Sequence, residues 1–243
     1  MKYGILSDIH SNLEALDACL ASLQKEGVDD HLFLGDAVGY YSQPNETIQR
    51  LRSIRCWKSV MGNHDAACLD RLALTAFNPP AADAILWTKN KLDRESWSYL
   101  QSLRMREEIG DITLVHASPF QSERWHYLTQ EDDLAHNFRY FQGFLCFFGH
   151  VHRPFAVEQL SDGSCRFLEG DSWTLDKDRR YLVNAGSVGQ PRDGDPRAAH
   201  LVYDSSTRRL SVRRTPYDHE KAARLTLEAG LPEYLAKRLL TGK

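Results

Sequence analysis

Five short apolar runs in this 243-residue chain each lead straight into aspartate, asparagine or histidine. Residues 3–6 precede Ser7-Asp8-Ile9-His10, residues 32–34 precede Gly35-Asp36, and residues 59–61 precede Gly62-Asn63-His64-Asp65. Ile112–Val115 runs into His116, and residues 144–148 into Gly149-His150-Val151-His152. A short apolar run closed by glycine or a polar residue reads as a buried strand of an α/β sheet. Ligands of open α/β sheets gather beyond the carboxyl ends of the strands. The five runs therefore predict Asp, Asn and His side chains delivered to one edge.

Between these runs the pattern is helical. Ser11 and Glu14 stand at capping-box spacing, Leu13, Leu16, Leu20 and Leu23 recur at helical intervals, and Gly27 ends the segment. Asn45 is read as the cap of a helix to about Arg55, and helical pattern also covers about 80–103. After His152 the character changes. Asp162-Gly163 marks a hairpin turn, and a second hairpin is read across residues 204–209. Parallel-type units followed by hairpins predict an α/β (α+β) fold whose sheet becomes mixed, or two sheets facing each other. No linker or repeat divides the chain, so one domain over 1–243 is expected, with a helical tail over about 218–241 in which Pro232 suits the first turn of the last short helix.

Composition bounds the partners. A 42% apolar fraction supports a real core, and a net charge of −3 offers no global basic field for long nucleic acid. The five cysteines lack Cys-x-x-Cys spacing, no run approaches a membrane span, and the amino terminus has no apolar signal core. These features predict a reduced, cytoplasmic protein.

Asp8 and His10 lie two apart, as do His150 and His152, while Asp36, Asn63 and His116 arrive singly. In an extended segment residues i and i+2 share a side, so each pair is expected to converge without a special turn. The set offers carboxylate, imidazole and amide oxygen but no thiolate, which suits Mn²⁺, Fe, Zn²⁺ or Ni²⁺. Seven candidates exceed one tetrahedral ion, so two ions bridged by a carboxylate are expected. Any one of these histidines alone would read as core or surface, as we read His31, His126, His136, His200 and His219.

In this order, Asp8-x-His10, Gly35-Asp36, Gly62-Asn63-His64-Asp65, His116 and Gly149-His150-x-His152 resemble the calcineurin-like metallophosphoesterase superfamily. Residues 184–194 (Asn-Ala-Gly-Ser-Val-Gly-Gln-Pro-Arg-Asp-Gly) resemble a segment of its small prokaryotic phosphodiesterase branch. The resemblance implies a β-sandwich of two mixed sheets flanked by helices. It implies that Asp8, His10, Asp36 and His152 hold one ion and Asp36, Asn63, His116 and His150 the other, with Mn²⁺ the expected metal. A metal-bridging hydroxide would attack a small phosphate ester in line. His64 would serve the leaving oxygen, and Asp65 would orient His64 or cap the following helix. Arg192, Tyr40 and Tyr41 are the candidate substrate-binding residues. The phosphoprotein phosphatases of the superfamily carry Asp and Arg shortly after the bridging aspartate, where this chain has Val38-Gly39-Tyr40-Tyr41. A small phosphodiester or phosphomonoester is therefore favoured over a phosphoprotein; the phosphodiesterase branch resembled makes the diester the expected substrate, with a phosphomonoester or a dinucleoside polyphosphate as the alternatives. The non-enzymatic alternative is a protein-interaction scaffold, as a retromer subunit of the same superfamily is; a homo-oligomer is compatible with either.

Overall fold

The structure is a computed structural model that describes residues 1–54 and 56–243. Strand β1 (Lys2–Leu6) feeds α1 (Leu13–Glu26) and returns in β2 (Asp30–Phe33), parallel to β1 with Tyr3 opposite Asp30 and Leu6 opposite Phe33. Helix α2 (Pro44–Ser53) leads to β3 (Cys56–Ser59), parallel to β2. Helices α3 (Asn63–Cys68), α4 (Pro79–Lys91) and α5 (Arg94–Ser102) then carry the chain to the hairpin of β4 (Arg106–Ile109) and β5 (Ile112–Val115). Helix α6 (Glu131–Asn137) precedes β6 (Leu145–Phe148), which is followed by β7 (Pro154–Gln159), β8 (Cys165–Phe167), β9 (Ser172–Thr174) and β10 (Tyr181–Ala185). The hairpin of β11 (Ala198–Asp204) and β12 (Arg209–Thr215) and helices α7 (His219–Glu228) and α8 (Glu233–Thr241) complete the chain.

The strands form two mixed six-stranded sheets, in the orders β3-β2-β1-β11-β12-β9 and β4-β5-β6-β10-β7-β8. Alternation of side chains builds three layers of core. Tyr3 and Ile5 of β1 meet Leu145 and Phe147 of β6 between the sheets, where Phe147 packs edge-on against Tyr203 at 5.8 Å. Leu6 of β1 turns outward against α1 (Leu16, Cys19, Leu20, Leu23), and Cys146 and Phe148 of β6 turn outward against Leu134 of α6 and Phe138. Both faces of the central strands are buried, which is why they read as unbroken apolar runs.

The five predicted strands are present, although β3 ends at Ser59 and Val60 makes only an isolated bridge to Arg104. Both predicted hairpins form, and Gly163 takes the positive φ of 87° that its turn requires. Four local readings are corrected. Helix α1 is capped by Asn12, whose Oδ1 accepts from Ala15 N at 3.2 Å, because Ser11 is held at φ 61° by the loop before it. Helix α2 starts at Pro44 after Gln43, and Asn45 instead ties down the α4–α5 junction through Lys91 O at 2.9 Å and Asp93 N at 3.0 Å. The predicted end of that helix, Arg55, lies outside the described residues. The helical stretch over 80–103 is two helices, because Asp93 accepts from Ser96 N at 2.7 Å and starts α5 afresh; Leu86 faces solvent. Pro232 occupies the cap of α8 rather than its first turn. Strands β4, β9 and β10 and helix α6 were not anticipated. Among the described residues no helix is long and apolar enough to cross a membrane.

Candidate metal centre

The loops after β1, β2 and β3 of the first sheet and after β5 and β6 of the second meet at one buried point. Asp8, His10, Asp36, Asn63, His116, His150 and His152 are all buried there. The route differs from the extended geometry expected. Asp8 (φ 53°), His10 (54°), Asp36 (58°), His150 (65°) and His152 (61°) all lie in the left-handed region. Each such residue costs about 1–3 kcal/mol unless its surroundings enforce it. Here the first two loops are laced together: Asp8 N donates to Gly35 O at 3.0 Å, and Ile9 N and His10 N donate to Asp36 O at 2.9 and 3.0 Å. The convergence is thus a tertiary product of special turns.

Two glycines allow the close approach. A Cβ on Gly62 would collide with the Asp36 carboxylate, and one on Gly149 with Ser7 Oγ and the Asp8 carboxylate. The segment over 184–194 clamps the same loops from the other side. Ser187 Oγ donates to Asp8 O at 2.8 Å, Asn184 Nδ2 to Gly149 O at 2.6 Å, and Asn12 Nδ2 to Gly189 O at 3.0 Å.

Three histidines have their tautomer set by the backbone. Nδ1 of His10, His116 and His152 lies 3.2, 2.7 and 2.6 Å from the carbonyl oxygens of Val38, Leu34 and Gln190. A carbonyl only accepts, so each Nδ1 carries a proton, and each ring, when neutral, turns its Nε2 lone pair to the centre. There His10 Nε2 stands 3.2 Å from His152 Nε2, and His152 Nε2 3.1 Å from Asp8 Oδ1. His116 Nε2 is 3.3 Å from Asp36 Oδ2 and 3.1 Å from Asn63 Oδ1. Among the described residues, the buried atoms Asp36 Oδ2 and His150 Nε2 have no hydrogen-bond partner. Facing lone pairs and orphaned acceptors are what a cation would satisfy, so the donor set fits divalent metal. Asp8, His10 and His152 present ligand atoms within 4.8 Å of one another, as do Asp8, Asp36 and His116, and His10, Asp36 and His64.

Charge is distributed unequally. Burial opposes ionisation of both carboxyls, yet His152 beside Asp8 and His116 beside Asp36 hold each well below the usual carboxylate range. Burial pushes His116 down, but Asp36 and then Asp8 outweigh it and raise the ring to about 9, so without a cation it supplies the positive charge. Burial pushes His64 down to about 4, which leaves it a neutral imidazole near pH 7. His64 is packed by Tyr40, His10 and Phe77 at ring separations of 4.4, 4.7 and 5.0 Å.

Asp65 does not reach His64. Its Oδ2 accepts from Asp36 N at 2.9 Å and Gly62 N at 3.0 Å, and its Oδ1 from Val38 N at 3.2 Å. Asp65 therefore caps α3 and fixes the turn that carries Asp36. Tyr40 and Arg192 do border the site: Arg192 Nη2 donates to Tyr40 OH at 3.1 Å and to Gln190 Oε1 at 2.8 Å. Tyr41 is buried; its backbone N donates to His10 O at 3.2 Å, and its OH accepts from Gln190 Nε2 at 2.9 Å. Gln190, which the sequence reading passed over, thus holds the His152 ring, Arg192 and Tyr41 together. Its only sequence signal was its place in the Gly/Pro-rich segment. Size does not single out this site, since a larger surface concavity of about 510 Å³ lies beside Gln159 and Arg180, with no histidine in its lining.

Residues 1–207 match the calcineurin-like phosphoesterase superfamily domain. An uncharacterized protein of Methanocaldococcus jannaschii is 40% identical over 246 residues, covering 99% of this chain and 98% of that protein. The crystal structure of a metallophosphoesterase from Sphaerobacter thermophilus superposes with a TM-score of 0.89 at 40% identity, covering 100% of this chain and 99% of that one. A hypothetical protein from Pyrococcus horikoshii OT3 shares the fold, with a TM-score of 0.77 at 21% identity over 100% of this chain and 98% of its own. The chain belongs to the calcineurin-like phosphoesterase superfamily.

Proposed function

We propose that this member of the superfamily is a two-metal phosphoesterase acting on a small phosphodiester. The observation that carries the reading is the set of imidazole Nε2 atoms turned by backbone carbonyls onto Asp8 and Asp36. Asp8, His10, Asp36 and His152 would hold one ion and Asp36, Asn63, His116 and His150 the other. Asp36 is suited to sharing: Oδ1 is held by His64 N at 2.9 Å, while Oδ2 has no hydrogen-bond partner. Bound divalent cations supply Lewis acidity toward phosphate oxygens and a water acidified to near-neutral pKa. Manganese is the preferred reading, with Fe, Zn²⁺ and Ni²⁺ accepted by the same donors.

The chain supplies the rest. His64, neutral and buried, is positioned to give a hydrogen bond to the departing oxygen. Arg192, pre-oriented by Gln190 and Tyr40, offers its guanidinium fork to a phosphate oxygen. Residues 1–243 act as one unit, because α7 and α8 pack through Ala222, Leu235 and Leu239 onto Tyr40 and Tyr41. The five cysteines are unpaired, which suits a cytoplasmic setting. A phosphomonoester or a dinucleoside polyphosphate would use the same groups at the metal centre.

The test is hydrolysis of bis(p-nitrophenyl) phosphate by metal-stripped protein with and without Mn²⁺, beside Asp36→Asn. Turnover restored by Mn²⁺ and lost in the variant is expected. Absence of turnover with any divalent metal would contradict the catalytic reading and favour the scaffold.

A further inference from the structure

Two loops stand over the centre and leave between them a cavity of about 210 Å³ that opens onto His64, Asn63 and His150. Residues 72–78 bring Phe77, which meets the His64 ring edge-on at 5.0 Å. Residues 121–128 bring Trp125, edge-on to His116 at 5.8 Å, and Tyr127, tilted over His150 at 4.0 Å. Tyr127 is 55% exposed although it lies on a candidate ligand, so its ring covers the centre without being part of the core. Arg124 stands exposed at the rim.

The second loop is strained. Gln121 (φ 46°) and Trp125 (φ 56°) are both left-handed, on either side of the short 3-10 turn Ser122–Arg124. That region is uncommon for any residue with a side chain and a genuine outlier for a bulky one. Such strain concentrates where loops clamp ligands. Here it aims the Trp125 indole at His116 instead of letting the loop relax outward.

We propose that this cavity binds one planar aromatic group carried by the phosphate ester, with Phe77 and Trp125 as its walls. Its size is below the roughly 300–1,000 Å³ of sites that enclose drug-sized ligands, so it takes a single ring system. Aromatic walls favour a flat π surface over an alkyl chain of equal charge. The inference rests on the phosphoesterase reading only in placing the phosphate at the metal ligands.

Binding of phenylphosphonate and ethylphosphonate to the Mn²⁺-loaded protein, by titration calorimetry at a pH where both carry the same charge, tests it. Neither has a hydrolysable ester. Phenylphosphonate is expected to bind about tenfold more tightly, and the preference to fall toward one in Phe77→Leu and in Trp125→Leu, which keep apolar bulk. Equal affinities, no binding of either, or a preference that survives both substitutions overturns the slot. Because the readout is binding, an aryl preference in a protein without turnover would leave the slot and remove the reaction; turnover without the preference would do the reverse.

Discussion

At the scale of single residues, the centre is defined by which nitrogen each imidazole leaves free. His10, His116 and His152 spend Nδ1 on carbonyls, whereas His64 Nδ1 has no hydrogen-bond partner. On the proposed reading, that difference separates three candidate ligands from a group able to act on substrate. His64→Ala is expected to lower kcat by about 10²–10⁴, the range for a positioned acid or base, with two metals per chain retained. Loss of metal in that variant, measured by elemental analysis, would make His64 a ligand instead. The identities of these residues were legible in the sequence, but two assignments were not. From the sequence Asp65 could orient His64 or cap the following helix, and its hydrogen bonds make it the cap; Tyr41 beside Tyr40 reads as a second substrate contact but is buried. Neighbours in sequence point to different places at the start of a helix or in a tight turn, and only the backbone path shows which one reaches the site.

At the scale of elements, strands β1, β2, β5 and β6 could be read because burial on both faces makes their sequences uniformly apolar. Strand β10 is equally buried and apolar but runs into Gly186-Ser187 with no Asp or His to mark its end; β4 and β9 are more exposed and carry little apolar signal. The left-handed turns after the strands had no local signature, since Asp8, His10, His150 and His152 are held there by hydrogen bonds from distant loops. Gly149 is where two of those loops touch. Gly149→Ala is expected to push Ser7 and Asp8 apart and so weaken metal binding at least about tenfold, with far-ultraviolet circular dichroism unchanged. Wild-type metal affinity in that variant would show the contact to be dispensable.

At the scale of the whole molecule, the two sheets and their flanking helices were anticipated mainly through the resemblance; periodicity alone left one mixed sheet or two facing sheets open. The pH response of the assembled fold was not legible, because it depends on His200 of β11. That ring is buried, neither nitrogen has a hydrogen-bond partner among the described residues, and it sits beside the Arg213–Glu26 pair. Burial first, then Arg213, pushes its pKa down to about 4. The unfolded chain protonates near the ordinary value of about 6.5, so stability is full above that pH and falls as pH drops toward about 4. The loss at pH 5 is about 2 kcal/mol from this group. His200→Leu is expected to remove that share of the acid sensitivity, measured as urea-unfolding free energy at pH 7.5 and pH 5. An unchanged difference between the two pH values would assign the acid sensitivity elsewhere.

On the proposed reading, two cations share Asp36 between the carboxyl ends of the two sheets. Electron paramagnetic resonance of the Mn²⁺-loaded protein, with metal content determined on the same sample, tests it most directly. The expected result is two Mn²⁺ per chain with an exchange-coupled signal, replaced in Asp36→Asn by an isolated-ion spectrum or none. A single uncoupled Mn²⁺ per chain at saturation would contradict the shared centre.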